Sequence, residues 1–74
     1  MGSSEDKKII LEIADKIKEA RLKKNLLQSD VAKQAGLNSN YYAKVERGEA
    51  KASGVTLTKI IKALGVKSTD IMPV

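Results

Sequence analysis

Two stretches of helical periodicity separated only by Gly36-Leu37-Asn38 constrain this chain more than any other feature of it. The first, Gln28 to Ala35, places Val31, Ala32 and Ala35 on one face, and the second places Tyr42 and Val45 three residues apart before Gly48 stops it. Helices of barely two turns are unstable in isolation, so both must be held by packing against the rest of the chain. A glycine-containing turn of three to four residues between two short helices is the pattern expected of a helix-turn-helix. Gly36 suits the left-handed residue that ends the first, and the Asn38 side chain can cap the second.

The flanking segments supply the rest of a bundle. From Asp6 to Lys24 the residues Ile9, Ile10, Ile13, Ile17 and Ala20 recur at helical spacing. Acids at the start (Glu5, Asp6) and bases at the end (Arg21, Lys23, Lys24) complement the helix dipole, with Asn25 placed to close it. After a polar loop, Val55, Leu57, Ile60, Ile61 and Leu64 define a further helix capped by Ser53 or Thr56 and ended by Gly65. Ser68 or Thr69 starts one last turn before Pro73. No strand alternation occurs, so the expected fold is all-α, a compact bundle of four to five helices. Residues 1–5 are expected to be a disordered N-terminus or tag remnant, and 6–74 a single domain whose helix-turn-helix core spans 28–47.

Within 74 residues there is room for one core. Histidine and cysteine are absent, which removes the usual nucleophiles and thiolate metal sites, and the carboxylates are scattered along polar faces. With no glycine-rich phosphate loop either, neither an enzyme nor a cofactor is expected. No apolar run approaches membrane-spanning length and the N-terminus is acidic, so the expectation is a cytoplasmic protein with no membrane association. Fourteen Lys and Arg against nine Asp and Glu give a formal charge of +5, which favours a polyanionic partner. Its placement says more than its size: between Lys33 and Lys44 there is no acid.

Several motifs in order resemble the lambda-repressor-like helix-turn-helix family, also called the Cro repressor or xenobiotic-response-element type. They are Ile17-Lys18-Glu19-Ala20-Arg21, Gln28 with Val31-Ala32, Gly36-Leu37, Val45-Glu46-Arg47-Gly48, and Thr56-Leu57 followed by Ala63-Leu64-Gly65-Val66. The resemblance covers residues 13 to 72. It implies a five-helix domain that reads the DNA major groove with its third helix. Three departures stand out: Leu27 replaces the Ser or Thr that usually caps the second helix, Ala52 and Gly54 should loosen the start of the fourth, and Tyr42 replaces a smaller aliphatic residue. The Tyr42 ring is expected in the core with its oxygen at the edge.

Helical geometry sets Ser39, Asn40, Ala43 and Lys44 opposite Tyr42 and Val45, where base edges would lie. Asn40 has the amide to bond adenine, Lys44 the reach for guanine, Ala43 a methyl contact for thymine, and Ser39 is permissive. The resemblance further implies that Gln28 contacts a phosphate and that Arg47 and Lys51 make backbone contacts that orient the domain. For Tyr41 two roles stand open, a hydroxyl bond to phosphate or a ring that covers the second helix. Arg21 and Glu46 match the family's structural ion pair.

These readings together describe a sequence-specific double-stranded DNA-binding transcriptional regulator. Its expected state on DNA is a homodimer on a palindromic operator. Val66, Ile71, Met72 and Val74 are left either for a dimer interface or to seal the core. Controller proteins of restriction-modification systems, small repressors and antitoxins all have stand-alone domains of this size. The competing reading is a helix-turn-helix fold used mainly as a protein-interaction module, an antitoxin or adaptor, which an exposed apolar patch would favour.

Overall fold

A computed structural model describes residues 3–72. It contains five helices: α1 (Ser3–Lys23), α2 (Gln28–Ala35), α3 (Ser39–Glu46), α4 (Gly54–Leu64) and α5 (Ser68–Ile71). There is no strand among the described residues. The first helix begins at Ser3, so residues 3–5, expected to be disordered, form its first turn; Glu5 and Asp6 then lie near the positive end of the dipole, where acids stabilise it.

The chain turns where the sequence carries residues that tolerate turning. Asn25 takes φ 57°, and Leu26 N–H donates back to the Arg21 carbonyl at 3.2 Å. Gly36 at φ 71° ends α2, and Leu37 N–H donates to Ala32 at 2.8 Å. Asn38 then caps α3, its Oδ1 accepting from the N–H groups of Asn40 at 2.8 Å and Tyr41 at 3.2 Å. Of the two possible caps for α4, Ser53 is the one used, accepting from Thr56 N–H at 3.1 Å. Gly54 offers no side chain there, and the Thr58 hydroxyl bonds back to its carbonyl at 2.8 Å. Gly48 is favoured by its φ of 75°, and a Cβ there would also make the Leu11 side chain shift.

The core is built from Ile17, Val31, Ala32, Ala35, Tyr42, Val45, Ile60, Leu64 and Ile71, each nearly or wholly buried. α2 packs on both α3 and α4, and α1 lies across α3, α4 and α5. Ile71 is fully covered. It therefore plugs the base of the core and is not free for a dimer interface. Val66 and Met72 are half-buried, and Val74 lies outside the described residues.

Only part of the α1 stripe reaches this core. Ile17 and Ala14 are buried, whereas Ile9 is exposed and Ile10 and Ile13 are half-covered. The early turns of α1 instead border an open apolar groove of about 220 Å³ with Val45, Ala52 and Leu57. No helix among the described residues is long and apolar enough to cross a membrane.

Candidate nucleic-acid interface

The orientation of α3 is set by a buried ionic network. Arg21 Nε donates to Glu46 Oε2 at 2.7 Å and its Nη2 to Oε1 at 3.0 Å, a bidentate fork joining residues 25 apart in sequence. A third guanidinium nitrogen, Nη1, donates to the Leu26 carbonyl at 2.8 Å. One arginine thus fastens α1, the α1–α2 turn and the last turn of α3 together. Burial alone would raise the Glu46 carboxyl; the bonds from Arg21 and Gln28 outweigh it and hold the group below the usual carboxylate range.

Gln28 enters the same network. Its side-chain Nε2 donates to Glu46 Oε1 at 3.0 Å and the residue is half-buried. The amide expected to reach a phosphate is therefore turned inward, because the only buried anion nearby is the Glu46 carboxylate and that carboxylate has an acceptor to spare. What the start of α2 exposes is the Leu27 and Ser29 side chains and the backbone between them. Leu27 has no side-chain acceptor; the Asp30 carboxylate, and not Ser29, completes this end by accepting from Leu27 N–H at 2.8 Å. The Gln28 and Ser29 amides that lead α2 therefore have no side-chain cap over them.

Tyr42 differs from expectation in the position of its oxygen. The residue is fully buried and its hydroxyl, beside the ion pair, has no partner in hydrogen-bonding geometry. Burial, reinforced by the neighbouring Glu46 carboxylate, raises the phenol far above its ordinary range, so it stays neutral. The residue presses its hydroxyl against the network because α1 and α3 meet there, leaving no route to solvent. Since the hydroxyl is buried without a partner, Tyr42→Phe is expected to leave the melting temperature unchanged or to stabilise the fold by up to about 1 kcal/mol. A measured loss of more than about 1 kcal/mol would instead reveal a working bond to the network.

On the opposite side of α3, Ser39, Asn40 and Lys44 are exposed and Ala43 is half-covered, so the four share one accessible face. The Tyr41 ring packs against the core and is half-buried. Lys51 is exposed, and its stem runs along the rim of the apolar groove. Arg47 is not free in this state. Its Nε and Nη2 donate to the two carboxylate oxygens of Glu49 at 2.9 and 3.1 Å, both side chains being more than half exposed. The bonds between them lower the Glu49 carboxyl and raise the Arg47 guanidinium.

The sequence pattern put Ser39, Asn40 and Lys44 on one exposed face and matched Arg21 with Glu46, and the structure has both. The pattern missed the third member of the network, Gln28, and the Glu49 clamp on Arg47. The Arg-x-Glu spacing at 47 and 49 was a usable signal for the clamp, whereas nothing local marks a glutamine that bonds 18 residues away. Among the described residues no cluster of acids suits a metal ion.

A bundle of this topology, with a capped eight-residue helix held by a buried arginine fork and presenting a polar outer face, is a helix-turn-helix domain. The chain belongs to the helix-turn-helix family, whose profile matches residues 17–71. It is 35% identical over 65 residues to control protein C.BamHI of Bacillus amyloliquefaciens, covering 86% of this chain and 80% of that protein. The solved restriction-modification controller protein C.AhdI from Aeromonas hydrophila superposes with a TM-score of 0.82 at 28% identity, covering 85% of this chain and 96% of the other. Controller protein C.Esp1396I, solved as a tetramer in complex with its natural 35 base-pair operator, superposes with a TM-score of 0.79 at 28% identity, covering 82% and 80%.

Proposed function

We propose that this protein is a sequence-specific, double-stranded DNA-binding transcriptional regulator of the controller-protein kind, acting in the cytoplasm without catalysis. One observation carries the reading: the exposed, acid-free face of α3 bearing Ser39, Asn40 and Lys44, held at a defined angle by a buried network. Inserted in a major groove, that face puts an amide donor–acceptor pair and an ammonium at base edges, with Ala43 beside them for a thymine methyl. The amides at the start of α2 donate to a backbone phosphate. Tyr41, Arg47 and Lys51 flank the groove and orient the domain on the phosphates.

A single domain makes few contacts, so the operator is a palindrome bound by a homodimer, with half-sites about 34 Å apart or a multiple of that. The controller relative solved as a tetramer on its operator fits such multimeric use. The interaction-module reading has its own support in the apolar groove along α1. That groove is lined by none of the four reading residues, so a partner seated there leaves the reading face free. Selection from a random duplex pool at about 150 mM salt tests the proposal. Enrichment of a palindrome supports it; weak binding without sequence preference would leave the interaction module as the better account.

The Glu49 clamp predicts a gain of function. The Glu49 carboxylate occupies two nitrogens of Arg47 and repels a phosphate, so Glu49→Gln is expected to tighten binding to the selected duplex about two- to fivefold without changing its preferred sequence. Affinity equal to the wild type would show that the clamp opposes nothing.

A further inference from the structure

A group of lysines lies between the end of α2 and the second half of α4. Lys33 of α2 and Lys59 and Lys62 of α4 border an open depression of about 410 Å³, with Gln34 and Gly36 on its edge. All three lysines are exposed, and none takes part in either ion pair of the described residues. No acid borders the depression, and none occurs from residue 50 through 69. Three ammonium groups gathered without a counter-charge repel one another, so the cluster raises a local positive potential that the fold does not use.

The chemistry of the cluster selects among anionic occupants. Protein interfaces deplete lysine at their centres and build affinity from aromatic, methionine and arginine side chains. This depression has no aromatic and no arginine on its border. Solvated lysines on flexible stems suit a diffuse row of phosphates, each contact an exchange of a counterion for an ammonium. Position agrees. No α3 residue lines the depression, yet Gly36 on its edge is three residues from Ser39, within about 11 Å along the chain. With the major groove about 12 Å wide, an edge that close to the N-terminal end of α3 would come near the phosphates bordering a groove in which α3 inserts.

We infer that Lys33, Lys59 and Lys62 form a second backbone-contacting surface, which grips DNA flanking the segment read by α3. The inference rests on the DNA-binding reading. These contacts add affinity and salt dependence but no sequence preference. They lengthen the footprint beyond the bases that α3 touches.

The test is a salt titration on two versions of the selected duplex, one ending flush with the selected site and one extended by about one helical turn, 10 base pairs, at each end. The wild type is compared with a Lys59→Gln, Lys62→Gln variant. A Lys16→Gln, Lys23→Gln variant, altered on the side of α1 that faces α5, controls for net charge. On the extended duplex the α4 variant is expected to lose about 0.9 of log–log salt slope per lysine engaged. On the flush duplex it should match the control, and the preferred sequence should be unchanged on both. Equal slopes for the α4 and control variants on the extended duplex would overturn the inference. A wild type that selects no duplex overturns the regulator reading itself, whereas one that selects normally but ignores flank length overturns only this inference.

Discussion

Glu46→Ala is expected to destabilise the domain by about 3 kcal/mol, which for a chain of this size lowers the melting temperature by about 12–24 °C. The substitution leaves Arg21, a residue only 8% exposed, without its bidentate partner, and Gln28 without its acceptor. Burying an unpaired charge costs more than the pair contributes, which is why removing one partner is severe. The lower end of the usual range applies because the pair, though covered, sits near the surface of a small domain and its arginine keeps the Leu26 carbonyl. A core this small supplies only a few kcal/mol in all, so the variant should be close to unfolded at ambient temperature.

The opposite design separates the explanation from simple loss of packing. Replacing both charges with apolar residues of similar volume, Arg21→Met with Glu46→Leu, removes the unpaired charge and should recover most of the stability. A double variant as unstable as Glu46→Ala would mean that the network matters through its particular hydrogen bonds. The acid limb of the stability curve gives a second check. The folded Glu46 carboxyl titrates below its unfolded value of 4.5, so its contribution is fully present above that pH and is lost as pH falls through the lower folded value. In Glu46→Ala that part of the acid limb should be absent.

How much of this was legible beforehand depends on whether the cause was local. The helices were, because Asn38, Gly36, Ser53 and Gly65 act on their own neighbours, and a cap or a left-handed residue carries its signal in one position. The exposed side of α3 was legible for the same reason: once Tyr42 and Val45 are inside, helical geometry leaves Ser39, Asn40 and Lys44 outside. The start of α1 was misplaced because Ser3 and Ser4 carry no periodic apolar signal, yet Glu5 and Asp6 still favour helix there. The fate of the Tyr42 hydroxyl and of the Gln28 amide could not be read, since each depends on where α1 crosses α3. Ile71 shows the same ambiguity from the apolar side: a residue left over by periodicity belongs to an interface or to the core according to packing that no local pattern records.

Removing the side chains of Asn40 and Lys44 should cost DNA selectivity without costing stability. Both are exposed, so the Asn40→Ala, Lys44→Ala variant is expected to melt within about 0.5 kcal/mol of the wild type. A well-formed side-chain contact to a base edge discriminates by about 1–3 kcal/mol, so each substitution should reduce the preference for the selected over a scrambled duplex about 5- to 150-fold. The two residues then part company in the salt titration. Asn40 is neutral, and its loss should leave the slope unchanged while relaxing one base position. Lys44 carries charge, and its loss should relax a second position if it reads a base, or weaken all duplexes alike and flatten the slope by about 0.9 if it meets a phosphate. Four residues of helix advance about 6 Å, close to two base-pair steps, so the two relaxed positions should lie about two steps apart when α3 runs along the groove. Selectivity unchanged in the double variant would remove α3 as the reader, because Asn40 and Lys44 are the longest polar side chains on its exposed face.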